Sequence, residues 1–198
     1  DDMAVPHSRV EAAAACYVRA IEQLYPAGPV HLIGHSFGGW VAYAMAARLH
    51  SGGREVASLT LIDSEVPCDD GLAGKAYTAT AALQRLIDAL QLSCGKSLGI
   101  DPLAFAEADD VTQLRLLHDG MVRAGVLSER SSPQAMHGPV RTFAVALRTP
   151  YQPQQAYAGP VRLAVVDDPA LDESGNQREQ AATIEGWRRL VANLTVWH

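Results

Sequence analysis

The feature that most constrains the fold is the stretch GHSFGG at residues 34–39, which lies between a short apolar run and an alanine-rich segment. Its first five residues satisfy G-x-S-x-G, the pattern of a strand that turns sharply into a helix and exposes a serine. Residues 30–33 predict the strand, and Val41, Met45 and Leu49 fall on one face of the helix that follows. The sequence therefore predicts a nucleophile elbow with Ser36 at its apex.

The glycines of this stretch have a steric explanation. A sharp bend strains the backbone of Ser36, and a side chain two residues before or after it is expected to collide with the neighbouring strand or helix. We therefore predict that Gly34 and Gly38 remove these collisions and that Gly39 lets the helix approach the sheet. The helix start directs backbone N–H groups at an oxyanion formed near the serine, and the Phe37 N–H is the first predicted donor.

The segments around the elbow predict an α/β fold with a mostly parallel sheet. Residues 56–62 are rich in Val, Leu and Ile with little alternation, as in a strand covered on both faces, and they follow the helix in a right-handed strand, helix, strand unit. An amphipathic helix over residues 8–25, capped by Ser8, precedes the unit. Further on, the pattern predicts a strand over residues 161–166, a helix over 177–192 and a strand over 194–197.

A helical segment interrupts this pattern. Residues 69–150 contain no convincing strand, but they carry helical patterns near residues 77–92, 111–124 and 134–147, broken by glycines and prolines such as Pro102. The predicted organisation is a core over residues 1–68, a helical insertion over 69–150 and the rest of the core over 151–198. Asp1 is not a natural start, so we expect a piece of a longer polypeptide.

Composition excludes several classes of function. With 198 residues and 48% hydrophobic composition the chain can bury one sizeable core, and a net charge of −6 without a basic run argues against nucleic acid or an anionic membrane as a partner. Cys16, Cys68 and Cys94 lack metal-ligand spacing, so we predict idle thiols, no metal and a reducing compartment. Without a membrane span or signal peptide, the cytoplasm is the expected location.

A serine nucleophile needs a base and an orienting acid, which in this architecture follow it in the order acid, then histidine. Asp63 ends the strand over residues 56–62, and Asp167, beside Asp168, ends the strand over 161–166. The residues alone leave these two acids as equal candidates. Either could also be an ordinary loop carboxylate or helix cap.

Three histidines are candidates for the base. His118 and His137 lie in the helical insertion, where a solvated or structurally satisfied histidine is the simpler interpretation. His198 directly follows the last predicted strand, where the catalytic loop of this architecture begins. Either His198 is the base or the base lies a few residues beyond the end of this chain.

The run GPVHLIGHSFGGWVAYAMAARLHSGGREVASLTLIDSEVP, residues 28–67, resembles the thioesterase domains that terminate nonribosomal peptide synthetases and related polyketide synthases. That family shows GP-x-x-L-x-G-x-S-F-G-G, a helix of the vA-x-x-x-A-x-x-L type and an L-hydrophobic-D-S-x-x-P ending. The match is dense over residues 9–67, looser over the last three elements and weak in the helical insertion. The resemblance implies an α/β-hydrolase fold.

The resemblance also implies roles for individual residues. Leu61-Ile62-Asp63-Ser64 matches the family's acid signature, which makes Asp63 the implied triad acid and Asp167 the reserve. The sequence departs from the family in two ways: the G-x-H loop that usually carries the base is not present after the last strand, and neither are the N-terminal strands whose loop supplies the second oxyanion donor. The first departure weakens His198 as the base.

The implied activity is release of an acyl or peptidyl chain from a carrier protein. The substrate arrives as a phosphopantetheine thioester on the carrier, so no bound cofactor is implied, and the domain is expected to belong to a multidomain synthetase. Phe37 and Gly39 resemble the integrated, chain-terminating kind. By resemblance the insertion over residues 69–150 is a lid over the acyl chain, and a large lid favours macrocyclisation over hydrolysis. The alternatives are a stand-alone editing thioesterase, a carboxylesterase or lipase of the same fold, and a non-catalytic binding module.

Overall fold

The computed structural model of the protein describes residues 8–67 and 79–198. Residues 8–67 and 149–198 belong to one compact unit, and residues 79–148 belong to a second. The elements in chain order are α1 Val10–Leu24, β1 Val30–His35, α2 Phe37–Ser51, β2 Val56–Ile62, α3 Ala79–Cys94, α4 Pro102–Glu107, α5 Asp110–Arg123, α6 His137–Ala146, β3 Val161–Ala164, α7 Glu173–Leu190 and β4 Leu194–Trp197.

The first unit is built on a parallel sheet of four strands in the order β1-β2-β3-β4. The register places His35, Ile62, Ala164 and Trp197 level with one another at the carboxyl ends of the strands. The residues that follow these four positions therefore emerge at one edge of the sheet. The predicted α/β class with a mostly parallel sheet is confirmed.

One face of the sheet carries the core. Leu59, Leu61 and Leu163 are fully buried there, together with Trp40 of α2 and Trp187 of α7. Side chains on the other face are exposed or half-buried, and they include His31, Ile33, His35, Thr60, Ile62, Arg162 and Trp197. The prediction that β2 is covered on both faces is therefore wrong, because its outward side chains are only half-buried.

The helices differ from the sequence prediction mainly at their ends. The N-cap of α1 is Arg9, so the predicted Ser8 cap is wrong, whereas α2 ends at Gly52 and Gly53 as predicted. The helix α7 begins at Glu173 rather than at residue 177, because Asp172 Oδ1 accepts a hydrogen bond from the Gly175 N–H at 2.7 Å.

The second unit is helical and has an apolar core of its own, centred on Phe105 and Leu117. The helix α4 was not predicted, since Pro102 was interpreted as a breaker. It occupies the first turn of α4, where its missing N–H costs nothing, and Asp101 Oδ1 caps the helix through the Leu103 N–H at 3.0 Å. The helix predicted over residues 134–147 is a 3₁₀ turn, Pro133–Met136, followed by α6.

None of the helices in the described ranges combines the length and apolar composition that a bilayer span requires.

Candidate active site

Ser36 forms the bend between β1 and α2, as the elbow pattern predicts. Its backbone has φ 49° and ψ −125°, a strained conformation that costs about 1–3 kcal/mol and persists only where contacts fix it. The Ser36 N–H donates to the Ile62 carbonyl at 2.9 Å, and the Ser36 carbonyl accepts from Ser64 Oγ at 2.9 Å. Contacts with β2 and the residues after it therefore hold the strained apex in place.

The structure assigns the close glycine contacts differently from the sequence. A Cβ on Gly34 would lie 2.3 Å from the Gly38 carbonyl oxygen, so Gly34 is required as predicted. A Cβ on Gly38 would meet nothing within 4 Å, and its predicted collision is wrong. Gly39 permits the close approach of α2, as predicted, because a Cβ there would lie 2.3 Å from Ser64 Oγ. The close approach of α2 thus depends on Gly34 and Gly39.

Two buried tryptophans anchor the segment after β2. The carbonyl of Ser64, a residue only 1% exposed, accepts from Trp187 Nε1 at 2.8 Å, and the Glu65 carbonyl accepts from Trp40 Nε1 at 2.8 Å. Sequence reasoning gave no role to Ser64 or to either tryptophan. The available signal was the serine that directly follows Asp63 in the acid signature.

Asp63 follows β2 and, like Ser36, has a positive φ. Its φ is 46°, and its N–H donates to the Ala164 carbonyl at 2.9 Å. Among residues 8–67 and 79–198, Ser36 and Asp63 are the two non-glycine residues with positive φ. The Asp63 side chain is exposed to solvent. Backbone strain of this kind concentrates at functional sites.

The strand register places the predicted site residues in one row. Ser36, Asp63 and His198 directly follow His35, Ile62 and Trp197, which the register aligns at the carboxyl ends of their strands. Neighbouring strands lie about 4.8 Å apart, so Asp63 is one strand spacing from Ser36, whereas His198 is about 14 Å from Ser36 along the row. In the described part of the chain, no hydrogen bond or ion pair joins a histidine to Ser36 or Asp63.

Asp167 and Asp168 have structural partners. Asp167 Oδ1 accepts from Gln180 Nε2 on α7 at 2.9 Å. Asp168 Oδ1 accepts from the Ala170 N–H at 2.8 Å and shapes the loop before α7. This is the behaviour of loop carboxylates, the alternative interpretation of the sequence.

The other two candidate histidines lie in the helical unit. His118 is buried on α5, with Nε2 2.9 Å from Ser131 Oγ and Nδ1 3.2 Å from Asp119 Oδ1. Its ring is therefore structurally satisfied, as the sequence suggested. His137 is exposed at the start of α6.

Within residues 8–67 and 79–198, no group of three or more His, Cys, Asp or Glu side chains is arranged to hold a metal ion. Cys16 and Cys94 are free thiols, and Cys68 lies outside the described residues.

A parallel sheet whose strand turns through a strained serine into a helix defines the α/β-hydrolase class. Comparison with known families identifies the particular branch. The model of the thioesterase domain family matches residues 2–115, more than half of the chain. The chain therefore belongs to the thioesterase family.

Curated relatives of the chain are large synthetases. Chondramide synthase cmdD of Chondromyces crocatus is 23% identical over 186 residues, which is 91% of this chain and 5% of the synthase. The dimodular nonribosomal peptide synthase of Bacillus subtilis is 45% identical over 51 residues, and the non-reducing polyketide synthase CTB1 of Cercospora nicotianae is 49% identical over 53 residues. These two matches cover 26% and 27% of this chain and 2% of each relative. The chain thus spans 5% or less of the length of these relatives.

Solved structures share the fold. The four-domain nonribosomal peptide synthetase holo-AB3403 matches with a TM-score of 0.77 and 24% identity, over 97% of this chain and 14% of the synthetase. The RedJ thioesterase of the prodiginine pathway in Streptomyces coelicolor matches with a TM-score of 0.57 and 18% identity, over 98% of this chain and 60% of RedJ.

We expect Gly39→Ala to lower the free energy of unfolding by about 1–3 kcal/mol, because the new methyl group would enter the space of the Ser64 side chain. Gly38→Ala is the matched control. A methyl group there meets nothing within 4 Å, and alanine favours a helix over glycine by up to about 1 kcal/mol. Urea unfolding followed by circular dichroism measures both variants. Equal destabilisation by the two would contradict the packing assigned to Gly39.

Proposed function

We propose that this domain releases an acyl or peptidyl chain from the phosphopantetheine thioester of a carrier protein through an ester with Ser36. The observation that carries the proposal is that Ser36 and Asp63 both have a strained backbone and lie next to each other at one edge of the sheet. They directly follow His35 and Ile62, which are paired in the register of the adjacent parallel strands β1 and β2. Membership of the thioesterase family supports the reaction class. The synthetases among the relatives support a carrier domain as the partner within a multidomain protein.

In the first half of the proposed reaction, Ser36 Oγ attacks the thioester carbonyl carbon while an imidazole takes the hydroxyl proton. The carbon–sulfur bond then breaks, and the leaving thiolate takes that proton from the imidazolium. The Phe37 N–H, in the first turn of α2, faces no intrahelical acceptor and stabilises the oxyanion together with the helix dipole. The carboxylate of Asp63 orients the imidazole and stabilises its positive charge.

In the second half, an amine or hydroxyl of the bound chain attacks the carbonyl carbon of the seryl ester while the imidazole takes its proton. The bond from that carbon to Ser36 Oγ then breaks, and the leaving oxygen takes the proton from the imidazolium, which regenerates Ser36. Water in the same position gives hydrolysis. We favour the integrated, chain-terminating kind of thioesterase because Phe37 and Gly39 resemble that kind, and we favour macrocyclisation because a large lid can enclose a long peptide or depsipeptide. We also propose that the helical insertion acts as the lid over the acyl chain.

The imidazole is proposed to come from the chain that follows β4, where His198 is the first residue. This segment leaves the sheet at the same edge as Ser36 and Asp63, which supports it as the source of the base. The distance of about 14 Å along the row means that the backbone after β4 must turn toward β1 for an imidazole to reach Ser36. We therefore propose two candidates for the base: His198, or a histidine that follows it.

The choice of acid is tested by comparing Asp63→Asn with Asp167→Asn. We expect Asp63→Asn to lower kcat on a peptidyl pantetheine thioester by about 10³- to 10⁴-fold, because the amide no longer stabilises the imidazolium. Asp167→Asn keeps an oxygen that accepts from Gln180 and should retain activity. Single-turnover kinetics measures both, with circular dichroism as the control for folding. Loss of activity in Asp167→Asn alone would overturn the assignment.

His198→Ala belongs in the same assay. If His198 is the base, the variant loses activity together with the acidic limb of the pH–rate profile. Full activity with an unchanged pH profile would exclude His198 as the base.

Carrier dependence separates the proposed function from an esterase of the same fold. We expect kcat/KM to be higher for a peptide loaded on a carrier protein than for a free short-chain nitrophenyl ester, because binding energy from the carrier is used in the transition state. Mass spectrometry of the products distinguishes macrocycle from linear acid. Faster turnover of the free ester, with no dependence on the carrier, would favour a carboxylesterase or lipase.

A further inference from the structure

The helical unit contains an open cavity of about 250 Å³ between α3, α5 and α6. Its apolar walls are formed by Ala82, Leu83, Leu86, Leu114, Val140 and Ala144. The first four of these are at most 9% exposed, and three belong to the core of the unit. Ligand pockets are concave and lined mostly by apolar side chains with a few polar groups that orient the ligand. The groove has this kind of lining.

The rim of this groove carries an excess of positive charge. His137 and Arg141 lie one turn apart on α6, Arg148 follows the end of α6, and all three side chains line the groove. Asp110, in the first turn of α5, is the one acid that lines it. The ion pairs in the described residues join other side chains and leave both arginines without a carboxylate partner. Both arginines are exposed to solvent.

We propose that this groove binds a free medium-chain carboxylate, with the alkyl chain against the apolar walls and the carboxylate on Arg141 and Arg148. A guanidinium presents paired N–H donors that match the two oxygens of a carboxylate. A methylene is similar in size to a water molecule, which occupies about 30 Å³, so 250 Å³ holds roughly eight carbons. The apolar depth and the cationic rim together select an amphiphile with one anionic end.

Such binding needs no chemistry at Ser36, so it is measured in Ser36→Ala protein, where failure of the proposed acyl transfer has no effect on the result. Isothermal titration calorimetry with octanoate, below its micelle concentration, should give saturable binding of one molecule per chain. Octanol, which has the same chain without the charge, should bind at least about tenfold more weakly.

Three variants locate the site. Ala144→Phe places a bulky side chain among the apolar walls of the groove, and the double variant Arg141→Gln/Arg148→Gln removes the cationic rim. Each should weaken octanoate binding at least about tenfold. The matched control is Arg85→Gln, since Arg85 is exposed on α3 and does not line the groove. Its affinity should equal that of the parent protein.

Several results would overturn the proposal. Absence of octanoate binding, unchanged affinity in Ala144→Phe, or equal affinity for octanoate and octanol would each contradict it. Sedimentation that reveals a dimer abolished by Ala144→Phe would mean that a second copy of the chain occupies the groove. Circular dichroism of each variant separates loss of binding from loss of fold.

Discussion

The candidate site depends on two tertiary hydrogen bonds that hold the backbone of Ser36 in its strained conformation. One ties its N–H to the end of β2, and the other ties its carbonyl to Ser64 Oγ. A serine at φ 49° would relax to an ordinary turn without such contacts, and the hydroxyl would lose its place above the sheet. Ser64 is in turn fixed by the indole of Trp187, 123 residues along the chain. The strain is therefore maintained by buried tertiary contacts, and the elbow forms only when the first unit folds.

The parallel register determines what chemistry the elbow can perform. Because the strand ends are level, Ser36 and Asp63 leave the sheet at the same edge and one strand spacing apart, although 26 residues separate them in the sequence. Asp63 turns away from its strand with a left-handed backbone of its own, and its carboxylate stays exposed at this edge. An imidazole that lies between the two would meet the hydroxyl on one side and the carboxylate on the other. Asp167, held by Gln180 of α7, is engaged in the loop instead.

The sequence could predict features that depend on neighbours along the chain. The elbow, the positions of β2 and β4 and the end of α2 at Gly52 follow from local patterns, and the structure has them there. Features that depend on neighbours in space were missed. The sequence pattern predicted a collision at Gly38, whereas the position of Ser64 in space means that a methyl group would disturb Gly39 and not Gly38. Likewise, the apolar residues of β2 cannot reveal that its outward side chains are only half-buried.

The site was predicted unevenly for the same reason. Ser36 has a strong local motif, whereas the proposed acid was chosen by resemblance and the proposed base by position alone. The contact of Ser64 with Trp187 leaves no trace in the spacing of the sequence, because it joins residues 123 positions apart.

The central claim is that the fold presents the Ser36 hydroxyl as a nucleophile, and covalent labelling tests it most directly. The protein is treated with a fluorophosphonate and analysed by intact mass and peptide mapping. The account predicts one phosphonyl adduct per chain, on Ser36, and none in Ser36→Ala. A folded protein that gains no mass, or that carries the adduct on another residue, would contradict it.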